Sequence, residues 1–156
     1  MKTQEMIDQI RAQIHDITED YSDDILIKYI NTAIKSASDI LVNVNNTLCL
    51  DEVTLKNGDD RPLNFRKFAG IYPVRFTGNK VEITDGTNEH TVRYFYGQPN
   101  VQKVDDELPF TDETVLIYIE QYASILAFNR NEYAVTQDNA ILQNLRDSFL
   151  QNVGVE

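Results

Sequence analysis

Tyr21-Ser22-Asp23-Asp24 runs directly into Ile25-Leu26-Ile27-Lys28-Tyr29-Ile30-Asn31, and this junction decides the reading of the chain. A hydroxyl ahead of two carboxylates, followed by apolar residues at helical spacing, marks a helix N-terminus. The serine oxygen can accept from the first free N–H groups, and the acids favour the positive end of the helix dipole. The same arrangement returns late in the chain, where Asp106-Glu107-Leu108-Pro109-Phe110-Thr111-Asp112-Glu113 leads into Thr114-Val115-Leu116-Ile117-Tyr118. Between these two starts the hydrophobic period changes from helical to two. The expected order is helices, then strands, then helices. This is an α+β fold, mainly a bundle of about four helices with an inserted antiparallel β meander, in a single domain spanning residues 1–156.

Working outward, the first helix is expected over residues 3–17, ending at Ile14 or Ile17, where Met6, Ile7, Ile10, Ile14 and Ile17 recur at three- and four-residue steps. The second covers 22–42 and buries Ile25, Leu26, Tyr29, Ile30, Ala33, Ile34, Ala37, Ile40 and Leu41, until Asn43, Asn45 and Asn46 end it. A β-rich insertion follows over 47–97. Leu48, Leu50, Val53 and Leu55 read as short strands, and 68–76 as a strand with Ile71, Val74 and Phe76 that Pro73 weakens. Gly78-Asn79 closes a tight hairpin into 80–84, and after the exposed turn Asp85-Gly86-Thr87-Asn88-Glu89 a last strand covers 90–96. The third helix is expected over 112–130, with Val115, Leu116, Ile119, Tyr122, Ala123, Leu126 and Ala127 inward. The fourth covers 134–152, with Ala140, Ile141, Leu145 and Phe149 on its core side.

A chain of 156 residues can bury roughly 70% of its unfolded surface. Its longest apolar runs are far too short to span a bilayer, and the start Met1-Lys2-Thr3-Gln4-Glu5 lacks the apolar stretch of a secretory signal. A protein made in the cytoplasm, with no membrane partner, is expected. Cys49 is the only cysteine, so no internal disulfide forms. The charge is the compositional oddity: 14 basic against 25 acidic residues, a net of −11. Broad phosphate contact needs clustered positive charge, so gripping of nucleic acid is not expected. An acidic wall could let a duplex slide past, and acidity also serves plain solubility.

Catalysis needs convergent groups, and the sequence offers few. His15 and His90 lie on different elements with no nucleophile in a motif beside either, so both read as exposed polar residues. Cys49 sits in an alternating apolar segment and reads as a small buried hydrophobe. Asp16-x-Thr18-x-Asp20 echoes the start of a calcium loop, but the sixth position is Tyr21 rather than glycine and the twelfth is Ile27 rather than glutamate. Asp105-Asp106-Glu107 reads as a solvated turn. No catalytic, metal or cofactor-binding residue is assigned, and no cofactor is expected.

The strand Tyr94-Phe95-Tyr96 sends Tyr94 and Tyr96 to one face and Phe95 to the other. If one face covers the helices, the other shows an aromatic to a neighbour; the alternative is a core on both sides. Arg61, Arg66, Lys67, Arg75, Lys80 and Arg93 gather positive charge in the insertion, while both helix pairs are acidic. That separation suits a contact between copies, for which Arg75, Lys80, Asp85, Gly86, Asn88, Arg93 and Phe95 are the candidates.

The layout resembles the head–tail adaptor (connector) proteins of tailed bacteriophages. Tyr21-Ser22-Asp23-Asp24 with Tyr29-Ile30-Asn31 is similar to their start of the second helix, and Glu107-Leu108-Pro109-Phe110 to their step into a long apolar helix, here Tyr118 to Phe128. The resemblance covers most of the chain in layout and these two segments in residues. It implies a structural virion protein without catalysis, a ring of about twelve copies beneath the portal that encloses the DNA exit channel. The implied partners are other copies, the portal protein, and a tail or nozzle protein, with DNA passing through unbound. In many such proteins the C-terminal segment inserts into the portal, which points here to the short tail with Asn152, Val153, Val155 and Glu156. The rival reading is an acidic cytoplasmic binding or inhibitor module, such as a DNA mimic.

Overall fold

The computed structural model describes residues 1–15, 21–128 and 135–154. Helix α1 (Thr3–Ile14) stops at His15, whose φ of 58° is the left-handed turn that ends helices. It therefore ends at Ile14, the nearer of the two expected ends, and Ile17 and the Asp16–Asp20 pattern lie outside the described residues. Helix α2 (Asp23–Asn43) begins as its sequence predicts: Ser22 Oγ accepts from the Ile25 N–H at 3.3 Å. At α3 (Glu113–Phe128) the cap differs from expectation. Asp112 Oδ1, not the Thr111 hydroxyl, accepts from the Val115 N–H at 3.1 Å. Helix α4 (Val135–Gly154) continues past the expected end at 152. Among the described residues no helix is long and apolar enough to cross a membrane.

The helices close on one apolar cluster. Met6, Ile7 and Ile10 of α1, Leu26, Ile30, Ile34 and Leu41 of α2, Val115, Tyr118 and Ile119 of α3, and Leu142 and Phe149 of α4 are buried together. Leu116, Leu126 and Leu145 pack against this cluster half-buried. On α4 the expected inward pair is corrected: Ala140 and Ile141 are exposed. The buried stripe instead follows Leu142, Leu145 and Phe149, whose three- and four-residue steps hold one helical face.

After a short 3-10 turn (Thr47–Cys49), which leaves Leu48 exposed rather than in a strand, come β1 (Leu50–Lys56), β2 (Phe65–Phe68), β3 (Val74–Thr77), β4 (Lys80–Ile83) and β5 (Glu89–Tyr96). The strand expected over 68–76 is thus split in two. Pro73 has no donor for a ladder, and the intervening loop leaves Ile71 fully exposed. The last strand is the central one, in the antiparallel order β1-β5-β2, while β3 and β4 form a separate hairpin. Gly78, at φ 63°, supplies the positive dihedral that its two-residue loop requires.

Strand β5 carries a core on each face. Val92, opposite Val53, packs with Leu55, Val74, Val81 and Ile83 in a second cluster between sheet and hairpin. Phe95, opposite Leu50, turns the other way into the helical cluster. The insertion is therefore fastened to the bundle through a buried aromatic.

Candidate interaction surface

The sequence-predicted contact residues separate into those on the surface and those that are not. Phe95 is only 5% exposed, so its assignment to a subunit contact is corrected: it is the anchor of the insertion on the helices. Arg75 on β3 is exposed but bonded bidentately to Glu82 of β4, at 2.9 and 2.8 Å. With Thr77 Oγ1 also donating, the Glu82 carboxyl is held below its usual range, Arg75 contributing most. Lys80, at the start of β4, pairs with Asp60. Arg93 on β5 is exposed, and its side chain has no charged partner among the described residues. Its backbone N–H donates to Tyr72 Oη at 3.1 Å. The cations expected to face a neighbour are in this way largely matched by acids of the insertion itself.

The turn holding Asp85, Gly86 and Asn88 is exposed, with Gly86 at φ 80°. Asp85 Oδ1 accepts from the Thr87 hydroxyl at 2.6 Å and from its N–H at 3.0 Å, while Oδ2 lies 2.8 Å from His90 Nε2. These bonds, the Thr87 hydroxyl first, pull the Asp85 carboxyl down to about 2. Thr87 Oγ1 lies 2.8 Å from the same His90 nitrogen. A triad needs the carboxylate on one imidazole nitrogen and the hydroxyl on the other. Here both share Nε2, which makes a rigid turn and not a proton relay. His90 is thus half-buried and bonded, not freely exposed as its sequence context suggests, whereas His15 is exposed.

At the other end, Asn152 and Val153 belong to the last turn of α4 rather than to a free tail, and the Val153 carbonyl accepts from Asn46 Nδ2 at 3.4 Å. Val155 and Glu156 lie outside the described residues. Cys49 is buried, and burial pushes its thiol up to about 11. Among the described residues no group of His, Cys, Asp and Glu side chains could hold a metal ion.

The most distinctive polar surface is one that linear reading misses. Along α2, Thr32, Lys35 and Ser38 wall a cavity of about 370 Å³, closed by Asn64, Arg66 and Gln98 of the insertion and its exit. A cavity of about 330 Å³ shares Thr32 and Lys35 and reaches Tyr122 and Arg146. A third, of about 410 Å³, lies between Asp39, Arg66 and Lys67. Arg66 Nη2 sits 2.8 Å from Asp39 Oδ1, and Gly97 leaves room for its guanidinium, since a Cβ there would lie 3.1 Å from Nη2. Arg146 donates to the Tyr122 hydroxyl at 2.7 Å, and Lys67 Nζ lies 5.4 Å from the Phe95 ring. The i, i+3 and i+4 spacing of Thr32, Lys35 and Asp39 was the available signal for one helix face. Nothing in the linear order shows that Arg66 and Arg146 flank it.

Charge is partitioned between the two parts of the molecule. The insertion, 47–97, holds seven basic and seven acidic residues, and the remainder holds seven basic and eighteen acidic. The whole net charge of −11 therefore lies outside the insertion. No protein-family model matches the chain, and no curated protein matches its sequence.

Proposed function

We propose that this chain is a structural virion protein: a head–tail adaptor that closes as a ring below the portal, lines the DNA exit channel and presents a platform to a tail or nozzle protein. The observation that supports this most is the charge partition, an electrically balanced β insertion fastened to a strongly acidic helical bundle. An acidic bundle repels phosphate and suits a wall past which a duplex moves, while a balanced insertion can approach another protein surface without like-charge cost. Leu63 and Ile71, on neighbouring loops of the insertion, are 83% and 103% exposed and give that approach apolar contacts. The layout resemblance supplies the portal and the tail as partners.

The test is electron microscopy of the full chain mixed with purified portal. The expected image is a ring of extra density on the portal, with no mobility shift of duplex DNA by the free protein. Arg93→Glu, at the exposed cation that has no charged partner among the described residues, is expected to weaken assembly while leaving the fold intact. A protein that ignores the portal but binds a basic host protein tightly would overturn the adaptor reading in favour of the acidic inhibitor.

A further inference from the structure

The three cavities along α2 form one polar groove whose charge opposes that of the molecule. Lys35, Arg66, Lys67 and Arg146 line it against the single carboxylate of Asp39, on a chain whose net charge is −11. Lys35 is exposed and has no side-chain partner among the described residues, and the Arg146 guanidinium meets the Tyr122 and Tyr118 phenols and no carboxylate among the described residues. Of these four cations only Arg66 is paired with a carboxylate among the described residues. By contrast, the cations of the hairpin, Arg75 and Lys80, are already matched by Glu82 and Asp60.

We propose that this groove is the docking site for an acidic stretch, residues 104–113, of a second copy of this chain. The inference deepens the adaptor reading and rests on it for the claim that copies meet in a ring. Asp105, Asp112 and Glu113 are exposed in that stretch. They are also held in place. Asp106 accepts from the Gln102 and Lys103 N–H groups at 2.8 and 2.9 Å, and Leu108 and Phe110 are buried as anchors. A presentation already fixed by the fold loses little conformational freedom on docking. Two acidic bundles repel across most approaches, and the groove is where an acidic segment meets opposite charge. Groove and stretch share no residue, so each copy can offer both and the contact repeats head to tail, which is the geometry that generates rings.

The experiment is carbodiimide coupling of adjacent lysine and carboxylate groups in the full chain, in an equal mixture of ¹⁴N and ¹⁵N protein, free at high concentration and bound to portal. Mass spectrometry then separates links between copies from links within one. The expected result is mixed-isotope links from Lys35 or Lys67 to carboxylates of residues 104–113. Read at the Lys67 links, since neither glutamate nor arginine at position 35 can couple, Lys35→Glu should reduce them about tenfold, as should about 0.5 M salt, while Lys35→Arg leaves them unchanged. Circular dichroism establishes that Lys35→Glu still folds. Links between copies that leave this stretch out, or links from the groove lysines to portal carboxylates alone, overturn the inference. Portal binding without these links overturns the groove and spares the adaptor reading. The links in free protein that does not bind portal do the reverse.

Discussion

Tyr118 Oη and Ser36 Oγ lie 2.7 Å apart and share a hydrogen bond that ties the middle of α3 to the middle of α2. The same ring stacks on Phe149 of α4 at 4.2 Å, so one residue fastens three helices. Burial raises the phenol above its usual range. Tyr118→Phe keeps the stack and loses the bond, which is expected to cost about 0.5–1.5 kcal/mol. Tyr118→Ala also loses the packing and is expected to cost about 3–5 kcal/mol. Urea unfolding of the two variants checks the difference.

Ile119 is fully buried whereas Leu126, two turns on, is only half-buried. Ile119→Ala is expected to destabilise by about 2–5 kcal/mol. Leu126→Ala removes less buried surface, and about 1–2 kcal/mol is expected. Equal losses would place Leu126 deeper in the bundle than the structure does.

Asp85 titrates below its ordinary value of 3.8, at about 2, because the Thr87 hydroxyl and N–H and then His90 bond to its ionised form. The folded value is lower than the unfolded one. The stabilisation it brings is present above 3.8 and is lost as pH falls through about 2. Thr87→Ala removes the largest contribution and should move the midpoint upward. Carbon NMR of the Asp85 carboxyl reads that shift, and an unchanged midpoint would disprove the turn geometry.

Cys49 is buried with its thiol raised to about 11. Its reaction with a thiol reagent at mildly alkaline pH is expected to be slower than in unfolded chain by on the order of a hundredfold or more, from thiolate fraction alone. Rapid labelling of the native protein would place the sulfur at the surface.

The helices were readable because their signals are local. Ser22 caps α2 as its position implies, and Ile30, Ile34 and Ile119 reach one cluster because helical spacing puts them on inward stripes. Leu142 and Ala140 exchanged roles because α4 offers a weak stripe, in which neighbouring small and apolar residues mark competing faces. Pairing of the strands was not readable. Phe95 and Val92 alternate as any strand does, and only the order β1-β5-β2 makes both directions interior. The candidate surface suffered from the same limit. Arg75 reads as a free cation until the two-residue hairpin sets Glu82 opposite it, and the α2 groove draws its charges from residues far apart in sequence.

The central place of β5 has a kinetic consequence. Its pairing with β1 joins Leu50 to Phe95 and Lys56 to Glu89, so the sheet cannot begin until a long loop has closed. The hairpin of β3 and β4 turns on two residues and needs no such closure. The hairpin register is therefore expected to form early and the sheet late, with β5 arriving last and joining the two clusters in a single step. Pulsed hydrogen exchange during refolding tests this order: protection at Glu82, opposite Arg75 in the hairpin, should precede protection at Val92, and simultaneous protection would mean that the long loop closes before either pairing is made.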